Sequence, residues 1–441
     1  MKKAGKLIVF IFAISFLFLQ SCDDNDEAII VHQNKANELV SRWFLLQTQL
    51  VKTTPNTPPP IAARNFAYSA ITLYHSLYKV MGVTDLQGKI NGIINLPTES
   101  SDRLVYSIVA NAAISALTSS LFENTSDNNK IAIANLEAEM LQFYKSENNI
   151  SEQQIIDESV ALGKRIALAV YDYSKTDGGH QSYLNLFPDN YNMANGISAW
   201  QPTSSSLIKK PLLPYWGSNR TLLKANAKGF ITVNDHPTFS VDATSEFYQQ
   251  ALEVYNVSKQ LSQEKSVIAN YWADGGNTFT PPGHLIALTI QLIEDENLDL
   301  YDATTLITKV SVGLYDASIV CWRTKYETYL LRPETYIKNY IDPTWRPHIA
   351  TPNFPSYASG HATFSSTTAV ILEQYFGSNY SFTDKTKISY GFKPRTYSNF
   401  NQMANEAANS RLYGGIHYDF DNREGLLCGK QIALAIHKLN L

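Results

Sequence analysis

Residues 355–376 read PSYASGHATFSSTTAVILEQYF, a Ser-Gly turn followed by an apolar run with helical spacing. Ser359 and Gly360 stand where the predicted helix begins. Free backbone N–H groups and the positive end of the helix dipole make such a start an anion site. His361 follows at once and is placed to act as a general acid or base. The stretch therefore predicts a helical protein with an anion-binding turn.

A second motif lies upstream, where residues 325–333 read KYETYLLRP. Lys325 and Arg332 are seven residues apart, which is about two helical turns, so one helix face can carry both. We expect Pro333 to end that helix and to fix the arginine end. Taken singly, such a pair is explained equally well by a solvated charged face.

A third motif lies downstream, where residues 410–421 read SRLYGGIHYDFD. Arg411 and His417 are six residues apart with two glycines between them, and Asp421 stands four residues after His417. One helical turn brings that carboxylate to the imidazole, where it can fix the ring tautomer. His417 alone is also compatible with a core histidine whose hydrogen bonds are satisfied.

Together the three motifs indicate a single site, because their residue types complement one another. They supply three cations, neutral donors from a hydroxyl and a backbone N–H, and two histidines. Such a set suits a tetrahedral oxyanion with two or three negative charges. Burying three cations without an anionic ligand would be costly. The candidate oxyanion site consists of Lys325, Arg332, Ser359, Gly360, His361, Arg411 and His417.

In this order the motifs resemble the superfamily that joins type 2 phosphatidic acid phosphatases to vanadium-dependent haloperoxidases. The chain has Ala358 where that family commonly has proline, a change that removes no ligand. Trp322 and Phe354 resemble the aromatic residues that shape the halide pocket of the haloperoxidase branch, and bacterial iodoperoxidases are the nearest likeness. Asp274 is expected, by the same resemblance, to pair with an active-site arginine.

The resemblance implies an enzyme that binds one vanadate per chain and oxidises halide with hydrogen peroxide to hypohalous acid. Iodide is the favoured halide, and bromide the further candidate. The vanadium would be bonded to His417, with Asp421 orienting the ring, His361 moving protons and Lys325 polarising the bound peroxide. These four are the expected catalytic residues, and the whole oxyanion set would bind the cofactor.

Two other functions fit the same residues. In an acid phosphatase, His417 would attack phosphorus to give a phosphohistidine and His361 would protonate the leaving alcohol. A non-catalytic lipoprotein that binds oxyanions is the third reading. His361 argues against it, since binding alone needs no acid or base.

The N-terminus has the pattern of an export signal. Lysines at positions 2, 3 and 6 precede an apolar run from Leu7 to Leu19, too short to span a bilayer. Cys22 follows in a pattern that resembles a bacterial lipobox. We expect a signal peptide over residues 1–21, a lipidated tether over 22–33, and an exported lipoprotein facing the periplasm or the outer surface of a Gram-negative bacterium. Its only membrane contact would be the lipid anchor.

The remaining sequence predicts one all-α domain over residues 34–441, with the active-site motifs in 322–421. Apolar residues make up 44% of the 441 positions, which is a globular composition, and long segments show apolar residues at helical spacing. An irregular stretch from Asp177 to Val241 is expected to form a rim or a surface insertion. The net charge of -4 argues against a nucleic-acid partner. Cys321 and Cys428 are expected to be buried thiols, with a disulfide as the alternative.

Overall fold

The structure is a computed structural model that describes residues 36–99, 103–203 and 208–441. The expected signal peptide and Cys22 lie outside these residues. The described part contains thirteen α-helices and one short two-stranded ribbon, so the predicted all-α class is confirmed. None of the helices in these ranges has the length and apolar character needed to cross a membrane.

The helices follow one another in the order α1 (Ala36–Thr53), α2 (Pro59–Leu77), α3 (Tyr106–Leu121), α4 (Asp127–Glu147), α5 (Gln153–Ser174), α6 (Glu246–Lys259), α7 (Gln263–Tyr271), α8 (Thr280–Asp295), α9 (Leu300–Thr328), α10 (Pro333–Tyr340), α11 (Gly360–Phe376), α12 (Phe400–Tyr413) and α13 (Asp419–His437). The ribbon lies between α11 and α12. Its strands are β1 (Phe382–Asp384) and β2 (Arg395–Tyr397), paired antiparallel.

Helix α9 runs through the middle of the molecule and is buried over most of its length. It packs against α2 on one side and against α11 and α13 on the other. The α11–α13 contact is the closest because α13 has glycines where it crosses α11. A Cβ at Gly425 would lie 2.6 Å from the Ser359 carbonyl oxygen, and one at Gly429 2.5 Å from that of Thr363. This packing places the start of α11 beside the start of α13.

One sequence expectation about the first motif is wrong. Lys325 and Arg332 do not share a helix, since α9 ends at Thr328 and Tyr329 takes a left-handed conformation with φ 52°. Arg332 instead precedes α10, and Pro333 is the first residue of that helix. Proline is well suited to a first helical position, where its missing N–H has no partner to lose. Because α9 ends between the two cations, they approach the site from different directions.

The irregular stretch from residue 177 to 241 has, over its described part, only short turns of 3-10 helix. It is anchored to the core by Asp316 of α9. That buried carboxylate accepts hydrogen bonds from the backbone N–H of Leu222 at 2.7 Å and of Leu223 at 3.1 Å, and from the side chain of Asn226 at 2.9 Å. The sequence predicted neither α10 nor the β1–β2 ribbon. Both described cysteines, Cys321 and Cys428, are buried free thiols.

Candidate active site

His417 is held in one tautomer by its two neighbours. Its Nδ1 lies 2.7 Å from Oδ2 of Asp421, and its Nε2 lies 2.9 Å from Nη1 of Arg332. A carboxylate can only accept and a guanidinium can only donate. The proton is therefore on Nδ1, and the lone pair is on Nε2. The sequence prediction that Asp421 meets His417 is confirmed.

Asp421 also ties the turn before α11 to the start of α13. The hydroxyl of Ser356 donates to its Oδ2 at 2.5 Å, and the backbone N–H of Ser359 donates to its carbonyl oxygen at 2.9 Å. Burial raises the pKa of Asp421 to about 6, against the stabilising effects of Ser356, Lys325 and Arg332. The carboxylate is thus ionised at neutral pH and able to orient His417.

The Ser-Gly turn forms the beginning of α11, as the sequence predicts. Ser359 precedes the helix and Gly360 is its first residue, so the first backbone N–H groups have no partner within the helix. The Ser359 hydroxyl oxygen is buried and has no hydrogen-bond partner among the described residues. The turn therefore offers donors for an anion.

Lys325 is completely buried and holds the Ser-Gly turn through the backbone carbonyls that precede it. Its ammonium group donates to the carbonyl oxygens of Pro355 at 3.1 Å, Ser356 at 2.8 Å and Ala358 at 2.6 Å. An ammonium group has three N–H donors, and all three are used. Burial and the nearby Arg332 lower the pKa of Lys325, while its three carbonyl partners and the charge of Asp421 favour the ammonium form. Direct contact of Lys325 with an oxyanion stays a prediction.

The two arginines are also buried, each with one face fixed by backbone carbonyls. Arg332 donates to the carbonyl oxygens of Phe354 and Ile416, both at 2.9 Å, while its Nη2 has no partner in the described part of the chain. Arg411 donates to the carbonyl oxygen of Ala269 at 3.2 Å. Burial lowers the pKa of both guanidinium groups. An anionic ligand would offset this cost.

His361 is half-buried in the first turn of α11 and lines the cavity. Its Nε2 is enclosed by protein and has no hydrogen-bond partner within the described ranges. Burial and the charge of Arg411 hold the pKa of His361 well below its usual range. Burial and the three cations do the same for the pKa of His417.

These groups surround the floor of a cavity of about 800 Å³. Gly360, His361, Arg411 and His417 line it, whereas Lys325, Arg332 and Ser359 are buried beside its wall. Trp322 and Phe354 also line it, with ring centroids 5.0 Å apart. Phe354 lies over Arg332, 4.9 Å from its Cζ. The structure thus brings all the predicted site residues together.

Sequence reasoning missed part of the cavity wall and one side-chain cluster. The wall includes residues 51–59, between α1 and α2, and residues 273–281. The three prolines of the first segment indicated only a helix end. Asp274 bonds His284 and Lys387, where the sequence led us to expect an active-site arginine. Lys387 lies in the connection between the two strands of the unpredicted ribbon, so no motif pointed to it.

The donor set suits a tetrahedral oxyanion. Three buried cations lie near Asp421, whose Oδ2 is already engaged by His417 and Ser356, and the charge of Asp274 also acts on Arg411. The atoms of this site without a partner among the described residues are Arg332 Nη2, Ser359 Oγ, Asp421 Oδ1 and His361 Nε2. His417 Nε2 adds a lone pair that can bind a metal or attack phosphorus.

Comparisons with known proteins agree with this site. Residues 305–440 match the family model described as the VCPO second helical-bundle domain. The vanadium chloroperoxidase of Curvularia inaequalis is 22% identical over 381 residues, covering 73% of this chain and 62% of that protein. The vanadium-dependent bromoperoxidase of Corallina officinalis is 30% identical over 96 residues, covering 20% of this chain and 16% of that protein. The chain thus spans less than two thirds of either curated relative.

Solved structures extend the similarity to the whole fold. A crystal structure of a bacterial vanadium-dependent iodoperoxidase superposes with a TM-score of 0.83 at 27% identity, covering 92% of this chain and 97% of that one. A holo-type bacterial vanadium-dependent chloroperoxidase gives a TM-score of 0.63 at 14% identity, covering 87% and 92%, and supports the fold alone. By its helical fold, its oxyanion site and these comparisons, the chain is similar to the vanadium haloperoxidases, and residues 305–440 match the second helical-bundle domain of that family.

Proposed function

We propose that this protein binds one vanadate and oxidises halide, iodide above all, with hydrogen peroxide to hypohalous acid. The observation that carries the proposal is the set of three buried cations beside two neutral histidines, with donor atoms of Arg332 and Ser359 left without a partner among the described residues. A tetrahedral oxyanion satisfies those charges and donors together. The similarity to a bacterial iodoperoxidase supports the choice of halide.

The residues would share the binding of vanadate as follows. His417 offers the Nε2 lone pair, and Arg332 and Arg411 neutralise oxygen charge. Ser359 offers its hydroxyl and Gly360 its backbone N–H. When bound, vanadate supplies a Lewis-acidic centre that activates hydrogen peroxide without a change in metal oxidation state. Lys325 adds positive charge behind the turn that it holds.

His361 is the residue placed to move protons. The ring lines the cavity, and the low pKa keeps it neutral, so a ring nitrogen can accept a proton from hydrogen peroxide. Trp322 and Phe354 form an apolar wall beside these groups, which would exclude water and receive a weakly hydrated halide.

The proposal is tested on metal-free protein divided into two portions. One receives orthovanadate and the other phosphate, and each is assayed with hydrogen peroxide and iodide, with bromide, and with a chromogenic phosphate monoester. We expect iodide oxidation that requires vanadate and is suppressed by phosphate, because both anions compete for one site. Bromide oxidation defines the halide range.

Ester hydrolysis inhibited by vanadate, without oxidation of either halide, would replace this proposal with the acid phosphatase. In that case Trp322 and Phe354 would be packing residues. Binding of vanadate without either activity would leave only the oxyanion-binding reading.

The Asp421→Asn variant tests how the histidine ligand is oriented. An amide offers a donor as well as an acceptor, so it no longer enforces the proton on Nδ1 of His417. We expect vanadate affinity to fall about 10–100-fold, the usual effect of losing a carboxylate behind a metal-bound histidine. Equilibrium dialysis with vanadate measures it. Asp316→Asn, which changes a buried carboxylate outside the site, serves as the control and should bind as the wild type does.

A further inference from the structure

The cavity is much larger than the ions of the proposed reaction require. Its volume is about 800 Å³, within the range of roughly 300–1,000 Å³ that is usual for sites of small organic molecules. A water molecule takes up about 30 Å³ in the liquid, and a tetrahedral oxyanion, a peroxide and a halide are each no more than a few times that size. Most of the volume is therefore left for an organic molecule.

The cavity connects the buried floor with the solvent. Arg411 and His417 are buried at the floor, whereas Pro55, Gly275 and Ala350 line the same cavity and are exposed. Hypohalous acid formed at the floor would leave through this space. A molecule bound between the floor and the mouth would meet the reagent before the solvent does.

The wall between the floor and the mouth is apolar and poor in hydrogen-bond donors. Five of the residues that line it are prolines, namely Pro55, Pro58, Pro59, Pro281 and Pro352. Proline has a fixed φ and no backbone N–H, so these positions are rigid and offer no donor. Such a preformed apolar surface suits an uncharged ligand, because little has to be ordered when the ligand binds.

The ionisable residues of the wall disfavour a cationic ligand. Apart from those of the floor, they are Lys52 and Asp274. Asp274 is buried, and its carboxylate is engaged by His284 at 2.9 Å and by Lys387 at 2.5 Å. A positively charged ligand would therefore meet Lys52 and Arg411 without a free carboxylate among the described lining residues to offset the repulsion.

The irregular stretch contributes Leu186 to this wall and is bonded to the residues around the aromatic pair. The carbonyl oxygen of Leu186 accepts from the N–H of Leu213 at 2.8 Å. The N–H of Leu212 donates to the carbonyl oxygen of Asn353 at 2.8 Å, and the carbonyl oxygen of Leu212 accepts from the indole of Trp322 at 3.3 Å. The stretch predicted as a rim thus forms part of the cavity wall.

We propose that the cavity binds an uncharged, electron-rich aromatic acceptor of the phenol class, which takes up iodine before hypoiodous acid reaches the solvent. The inference rests on the proposed function for the supply of that reagent. A phenol is uncharged at neutral pH, and the rings of Trp322 and Phe354 offer aromatic surface at the deep end of the wall.

The reaction balances without a further reagent. A ring carbon beside or opposite the phenolic carbon forms a bond to iodine while the O–I bond of hypoiodous acid breaks, and the electron pair of that bond stays with oxygen. The ring carbon then loses its proton, which combines with the released hydroxide. A phenol and hypoiodous acid thus give an iodophenol and water.

The first test is a competition between two phenols on vanadate-loaded wild-type protein. 4-Propylphenol and (4-hydroxyphenethyl)trimethylammonium have similar rings, but only the second carries a positive charge. With hydrogen peroxide and iodide, we expect 4-propylphenol to be iodinated in preference by about tenfold or more, compared with the product ratio that hypoiodous acid gives without protein. The reason is the cost of placing a cation against an apolar wall. A product ratio equal to that of the free reagent would overturn the inference.

Binding to metal-free protein provides the second readout. Equilibrium dialysis with 4-propylphenol measures its affinity, which Leu186→Asp should lower about tenfold or more because it places a carboxylate in the apolar wall. The matched control is Leu184→Asp, which changes an exposed leucine of the same segment that does not line the cavity. The control should bind 4-propylphenol as the wild type does. Wild-type affinity in Leu186→Asp would also overturn the inference.

The two readouts separate this inference from the proposed function. If the wild type oxidises no iodide, the proposed function fails, and the dialysis still decides whether the cavity holds the phenol. If iodide is oxidised but 4-propylphenol does not bind, only the acceptor site is refuted. The competition needs no variant, so it decides the matter if Leu186→Asp does not fold.

Discussion

Replacing His417 with alanine is expected to abolish vanadate binding and halide oxidation together. The structure gives His417 Nε2 as a lone pair at the cavity floor, in a tautomer imposed by Asp421 and Arg332. The arginines beside His417 have no lone pair to offer in its place. Equilibrium dialysis with vanadate and an iodide-oxidation assay measure the two losses on the same protein.

The matched control is His75→Ala. His75 is also a buried histidine and bonds a backbone carbonyl, that of Pro97 at 3.0 Å, but it lies on α2 away from the cavity. We expect this variant to bind vanadate as the wild type does. Full iodide oxidation by His417→Ala would remove His417 from its assigned role and with it the proposed cofactor geometry.

Replacing His361 with alanine is expected to leave vanadate bound while cutting turnover roughly 100-fold or more, the usual contribution of a general acid or base. Its Nε2 has no partner within the described residues, and its ring lines the cavity from the first turn of α11. Dialysis reports binding, and kcat for iodide reports turnover.

The pH dependence of kcat provides a further test of the role of His361. A base must be unprotonated, so turnover should fall as the pH drops through the pKa of His361. Burial and Arg411 place that pKa well below the ordinary value of 6.5. Wild-type kcat should therefore stay level below pH 6.5 before it declines, and His361→Ala should lack that decline. Unchanged turnover in the variant would exclude His361 from proton transfer.

The chemistry of the site could be predicted from the sequence because it depends on residue types at fixed spacings. Asp421 meets His417 since both stand at the start of one helix, four residues apart. The path of the chain between motifs could not be predicted in this way. The spacing from Lys325 to Arg332 fits a continuous helix, but a left-handed Tyr329 ends α9 before Arg332 is reached.

The buried contacts that join Asp274, His284, Asp384 and Lys387 show a second reason why the sequence did not suffice. Asp274 and His284 flank the start of α8, yet Asp384 and Lys387 come from about a hundred residues later in the chain. The ribbon that carries Asp384 has strands of three residues, too short to leave an alternating pattern. Contacts of this kind depend on tertiary packing alone, and no local sequence pattern predicts them.

The glycines of α13 have a consequence for how the site can vary. Because Gly425 lies against the Ser359 carbonyl, the helix that begins with Asp421 and the turn that presents Ser359 have no spare distance between them. Direct backbone contact therefore fixes the distance between the two parts of the anion site. Any side chain at position 425 would push the start of α11 away from α13. The geometry of the whole site therefore depends on Gly425 having no Cβ.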